Sequence, residues 1–123
     1  MNRFVHFELV TDDFEKTAAF YRDVFGWQVQ KWEGPVEYWL VTTGDTSTPG
    51  INGGLMKAGG PFKGTVNTIE VEDIDAALAK VKAHGGEIVF EKDTVPGVGQ
   101  LAYIKDNTGI IIGILQPLDG ASM

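Results

Sequence analysis

The hydrophobic pattern opens with strict alternation. Phe7 and Leu9 fall on one parity and His6 and Glu8 on the other, so residues 4–10 read as a strand with two unlike faces. Thr11, Asp12 and Asp13 interrupt the alternation and supply a helix cap, with carboxylates near the positive end of the helix dipole. The period then lengthens: Phe14, Ala18, Tyr21 and Phe25 form one apolar stripe, and Gly26 stops the helix. Strands are predicted at residues 27–32 and 37–43, then a loop over 44–54 and a fourth strand beginning or continuing at 55–57.

The same order of elements returns further along. Displacing the sequence by sixty positions lays residues 6–29 on 66–89 without a gap: Asp13 falls on Asp73, Ala19 on Ala79, Gly26 on Gly86 and Val29 on Val89. The second copy predicts a strand at 65–71 and a helix at 73–84 with the stripe Ile74, Leu78 and Val81, stopped by Gly85 and Gly86. Strands follow at 87–91, 101–105 and 110–116. The pattern is βαβββ twice, an α+β fold: a first module over 1–57, a linker over 58–64 and a second module over 65–118, with the tail from Leu118 frayed. Two such modules are expected to curl their sheets around a shared cleft. His6 has Val66 as its counterpart, so the chemistry of the two copies is unequal.

Composition narrows the function classes. A chain of 123 residues holds one domain or two half-domains sharing a core, and 43% apolar residues suffice to build it. No run reaches the roughly 18 apolar residues of a membrane span, and the N-terminus turns acidic too soon for a secretory signal. The absence of cysteine excludes disulfides, thiolate nucleophiles and cysteine metal ligands, and fits a cytoplasmic protein. Net charge is −7 with scattered lysines and arginines, so no nucleic-acid footprint or membrane partner is expected. Ser47 and Ser122 have no partner in sequence for nucleophilic catalysis, and the GINGG run does not open a helix as a phosphate-binding loop would.

The candidate chemistry gathers on a few strand positions. His6 titrates near neutral pH and is a candidate general base or hydrogen-bond partner of a ligand, against a satisfied core histidine. Glu8 lies about 6–7 Å along the same face by strand rise. It could orient His6 as an acid–base pair, or lie in solvent at the sheet rim. Trp39, Trp32 and Tyr103 are candidates for an aromatic wall, against packing beneath the helices with Phe20 and Phe25; Trp27 is read as core. Met56 is a candidate pocket floor or an ordinary core methionine, and Thr68, the counterpart of Glu8, offers a hydroxyl beside Glu70. His84 is expected at the surface, bonded to the last helix carbonyls.

The stretches HFELVTDDFEKTAAFYRDVFGW, AALAKVKAHGGEIV and IKDNTGIIIGILQ together resemble the vicinal oxygen chelate superfamily, which includes glyoxalase I, extradiol dioxygenases and bleomycin-resistance proteins. The resemblance implies the paired βαβββ fold and a homodimer. In metal-using members, ligands come from the first and last strand of each module, and carrying these over gives His6, Gly54, Val66 and Gly113. Only His6 can coordinate, whereas about three protein ligands are usual for a catalytic metal. The metal site is therefore read as lost, with no cofactor expected, and the two glycines are expected to enlarge the cavity for a ligand.

The resulting expectation is metal-independent binding of a small, partly aromatic molecule between the modules, similar to drug-sequestering members of the family. The alternative is a glyoxalase-like lyase, isomerase or dioxygenase, either metal-free through His6 and Glu8 or metal-dependent through other ligands. A third reading is a structural or partner-binding domain whose cleft is vestigial.

Overall fold

The computed structural model describes residues 1–118; residues 119–123, most of the tail expected to fray, lie outside the described residues. Eight strands and two helices follow in the order β1 (Arg3–Thr11), α1 (Phe14–Phe25), β2 (Gln28–Lys31), β3 (Tyr38–Thr42), β4 (Asn52–Lys57), β5 (Thr65–Glu70), α2 (Ile74–Ala83), β6 (Glu87–Val95), β7 (Gly99–Lys105) and β8 (Ile111–Pro117). This is the α+β, twice-βαβββ architecture expected from the period changes. By contacts the chain divides into two compact units: His6–Val66, and Met1–Val5 together with the described residues from Asn67 onward. Among the described residues no helix is long and apolar enough to cross a membrane.

In the first module the strands run β2-β3-β4-β1, with β1 and β4 parallel and the other neighbours antiparallel. Asp13 caps α1 by accepting a hydrogen bond from the Lys16 amide at 3.0 Å, and Gly26 closes the helix in the left-handed conformation at φ 71°. The core joins Phe14 and Ala18 of α1 to Val29, Trp39, Val41 and Leu55, with Phe7, Leu9 and Trp27 packed against them. Phe7 and Leu9 thus face the helix. The period of two sends His6 and Glu8 to the opposite face. The same parity places Trp39, Val41 and Leu55 on the helix side, and Tyr38, Leu40, Gly54 and Met56 on the face of His6.

The second module repeats the plan as β6-β7-β8-β5, with β5 and β8 parallel. Asp73 caps α2 through the Ala76 amide at 3.1 Å. Its core is Val71, Ile74, Leu78, Ala102, Ile104 and Ile114, which leaves Thr68, Glu70, Tyr103 and Gly113 on the face away from α2. His84 lies at the C-terminal end of α2, its Nδ1 at 2.9 Å from the Lys80 carbonyl.

Two expectations require correction. The loop predicted to last until Gly54 ends earlier, because β4 begins at Asn52 in parallel register with β1, pairing His6 with Asn52, Phe7 with Gly53 and Glu8 with Gly54. Gly53 permits this pairing: a Cβ there would run into the Phe7 carbonyl and ring. The α1 stripe also stops short of Phe25, which is 59% exposed, stacked on Tyr21 at 6.1 Å and near Trp27 at 6.0 Å.

Candidate functional site

The face of the first module turned away from α1 is built around His6. Its imidazole is 9% exposed, with Nε2 at 2.8 Å from the Tyr38 hydroxyl. Burial removes solvation from the charged form and lowers the His6 pKa to about 4, so the ring is neutral at physiological pH. A neutral imidazole donates from one nitrogen and accepts at the other. Beside a phenol it forms an uncharged donor–acceptor pair, suited to a ligand's carbonyl, hydroxyl or amide rather than to a strong ionic group.

Tyr38 owes its position to the register of β3. It lies across from Met56, and its ring reaches over Gly54, where a side chain at residue 54 would project; a Cβ built at Gly54 would collide with the phenol. The Trp32 ring meets Tyr38 edge-on at a centroid distance of 6.2 Å, and the Trp32 amide donates to the Tyr38 carbonyl at 2.8 Å. Tyr38 had no signal in the sequence reading beyond its neighbour Trp39. Once Trp39 is on the helix side, parity alone turns Tyr38 toward His6.

The predicted site residues divide accordingly. His6, Glu8 and Met56 share the face with Tyr38 and Trp32. Glu8 is 5% exposed, which overturns a solvated place at the rim. Trp39 does not share it: it lies in the core, 8% exposed, its ring stacked on Phe14 at 5.9 Å. Its indole nitrogen is buried without a hydrogen-bond partner. Thr68 (2% exposed) and Tyr103 occupy the equivalent face of the second module with Glu70, which is buried at 7% exposed although it ends β5. Phe90 meets Tyr103 edge-on at 6.3 Å.

The two glycines do not open space as anticipated. Gly54 lies under Tyr38, and a Cβ at Gly113 would stand 2.5 Å from the Thr68 hydroxyl and 3.4 Å from the Tyr103 ring. In both modules a hydroxyl-bearing side chain covers the glycine. Taken one by one, the positions that the resemblance marks for metal ligands offer an imidazole bonded to a phenol (His6), a buried valine (Val66, 1% exposed) and two covered glycines (Gly54 and Gly113). Asn52, near Gly54, directs its side-chain oxygen to the Thr43 amide at 2.8 Å. Among the described residues no three His, Cys, Asp or Glu side chains gather as a metal-holding group. The residues present do not fit a divalent metal.

A polar groove of about 610 Å³ lies elsewhere, lined by Glu72, Asp73, Asp75, Lys92, Gln100 and Gln116. Four of its six lining residues are engaged internally: Asp73 caps α2, Gln116 accepts from the Ile74 amide at 2.9 Å, and Lys92 pairs with Asp75 at 2.9 Å. The His6 face remains the candidate site.

The profile of the Glyoxalase/Bleomycin resistance protein/Dioxygenase superfamily matches residues 3–114. The chain belongs to this superfamily. It is 33% identical over 116 residues to the proposed glyoxylase CFP32 of Mycobacterium bovis and, to the same extent, to its counterpart in Mycobacterium tuberculosis, covering 89% of this chain. The chain spans 42% of the length of those relatives, less than half. In fold it is similar to methylmalonyl-CoA epimerase from Mycobacterium tuberculosis (TM-score 0.70, 16% identity, 94% of this chain and 87% of that one). It is likewise similar to a variant of the Streptomyces coelicolor epimerase in complex with 2-nitronate-propionyl-CoA (TM-score 0.74, 18% identity, 100% and 99% covered). These likenesses establish the scaffold, which within one family carries more than one named activity.

Proposed function

We propose that this member of the superfamily binds a small molecule without a metal, on the His6 face of the first module. The neutral His6–Tyr38 pair supplies the polar anchor, with Trp32 and Met56 beside it. The observation that carries this reading is the Tyr38 phenol, which takes the room over Gly54 and bonds the one imidazole that could have been a ligand. The lowered His6 pKa supports binding over proton abstraction: a base titrating at about 4 is poorly matched to catalysis at neutral pH. Thr68 and Tyr103 are proposed separately as ligand-facing groups on the equivalent face of the second module.

A second reading, a glyoxalase-type enzyme, is favoured by the name of the CFP32 relatives. In it Glu8, buried on the same face as His6, is the proton carrier and His6–Tyr38 orients the substrate oxygen.

The test begins with metal content by mass spectrometry on untagged protein incubated with zinc, nickel, manganese or iron(II). Less than about a tenth of an equivalent in each case is expected from a site holding one imidazole in place of the usual three ligands. Near-stoichiometric metal, lost in His6→Ala, would overturn the proposal. A library of small aromatic carbonyl compounds is then screened by tryptophan fluorescence against wild type and Tyr38→Ala. Binding weakened in the variant, with the compound recovered unchanged, supports the binder; conversion of a compound that stops in Glu8→Gln supports the enzyme.

A further inference from the structure

Parity separates the charges of the first module between the two sides of its sheet. On β1 from His6 onward, and on β2, β3 and β4, the positions facing away from α1 include one charged side chain, Glu8. The lysines of these strands, Lys31 and Lys57, share the parity of Val29 and Leu55 and so stand on the α1 side. The loops that join β2 to β3 and β3 to β4 carry Glu33, Glu37 and Asp45 and neither lysine nor arginine. His6 adds no cation, since its ring is neutral at physiological pH.

Register shows what lies beside the carboxylate. Gln30 pairs with Leu40, Leu40 with Gly54 and Gly54 with Glu8, one row across four strands. Gln30 is exposed and Leu40 is 38% exposed, whereas Glu8 is 5% exposed, so the row runs from a wet end to a dry one. Gly54 lies under the Tyr38 ring, and the row therefore presents aliphatic and aromatic surface before the carboxylate. A carboxylate has room for about four donors, so a bond within the chain does not exhaust Glu8 as an acceptor. At that depth solvent screens charge poorly. A second carboxylate brought beside it meets a repulsion that no lysine or arginine on this face offsets.

We propose that the His6 face selects a flat apolar ligand bearing a cationic nitrogen, which Glu8 receives, and refuses carboxylates. The proposal rests on the reading of this face as a ligand site. The His6–Tyr38 pair meets an uncharged oxygen at the other end of the same ligand. His6 and Glu8 stand two residues apart on one strand, about 6–7 Å by strand rise, a span that one benzene ring with para substituents bridges.

Three compounds that differ only in one head group test it: para-hydroxybenzamidine, para-hydroxybenzamide and para-hydroxybenzoate. Each is titrated at neutral pH into the isotope-labelled full chain and followed by amide and indole chemical shifts. The amidine, a cation at that pH, should bind roughly 10-fold tighter than the amide, the margin of a charge-assisted over a neutral hydrogen bond, and the benzoate should bind weakest. Glu8→Gln should erase the preference for amidine over amide, and Glu8→Asp, which keeps the charge, should retain most of it. Tyr38→Ala should weaken amidine and amide alike. In wild type alone, equal affinities, a preference for the benzoate or no binding of the amidine would overturn cation selection, as would a preference that persists in Glu8→Gln. Affinities indifferent to Tyr38→Ala would instead overturn the reading of the site, and the proposal with it.

Discussion

The two modules resolve one sequence event in different ways. In each, a glycine stands on the last strand where the superfamily resemblance implies a metal ligand, and in each a hydroxyl-bearing side chain covers it. Over Gly54 the cover comes from β3, an antiparallel neighbour, and its phenol reaches the imidazole of His6. Over Gly113 the cover includes Thr68 of β5, the directly paired residue of a parallel neighbour, with Val66 where an imidazole would stand. The first arrangement makes a neutral hydrogen-bonded pair on one face; the second fills space beside Tyr103. The loss of a carboxylate says nothing about what replaces it, because the replacement comes from another strand through the sheet register.

The largest expected effect separates the modules by pH. The folded pKa of His6 lies at about 4, below its unfolded value of 6.5. The unfolded chain therefore takes up the proton first, and stability falls as pH drops from about 6.5 towards 4. The loss between about pH 7 and pH 4 is about 3 kcal/mol. Urea unfolding of wild type and His6→Gln at both ends of this window should show that extra loss in wild type only. An identical pH dependence in the two proteins would move the titrating group away from His6.

Next in size, Gly54→Ala forces its methyl against the Tyr38 ring and is expected to cost roughly 1–3 kcal/mol, as overpacking does. In a Tyr38→Ala background most of that cost should vanish; a double-mutant cycle in urea measures the coupling. Purely additive changes would remove Tyr38 from Gly54. Tyr38→Phe keeps the ring and deletes the hydroxyl, leaving a buried imidazole nitrogen without its partner at a cost of about 1–2 kcal/mol. An unchanged denaturation midpoint would show that water replaces the phenol.

The smallest effect belongs to the second module. Gly113→Ala meets the Thr68 hydroxyl, a small group that can rotate, and should cost about 1 kcal/mol, near the low end of overpacking. Thr68→Ala should relieve it. A Gly113 cost larger than that at Gly54 would reverse the proposed contrast between the modules.

Much of the fold was legible because it is written in local periods. Asp13 and Asp73, sixty positions apart, both cap helices; Gly26 ends the first; and parity put His6 and Glu8 opposite Phe7 and Leu9. The superfamily followed from the same stretches. Less of the site could be read. Trp39 and Tyr38 are neighbours on one strand, and the sequence supplied no way to choose which of them faces His6 until α1 claimed Trp39 through Phe14. The start of β4 was hidden because glycines at 53 and 54 look like loop, while parallel pairing with Phe7 and Glu8 makes them strand.

By itself the sequence determined the repeated βαβββ order, the capped helices and the first-strand histidine, His6, that Val66 replaces in the second module, since each is set by residues along the chain rather than by contacts across it. Only the tertiary structure decided that Tyr38 occupies the place over Gly54 and bonds His6, that Glu8 and Glu70 are buried, and that Phe25 is not. Those outcomes depend on which strand lies beside which, in what register, and on the water excluded when the sheet faces are covered.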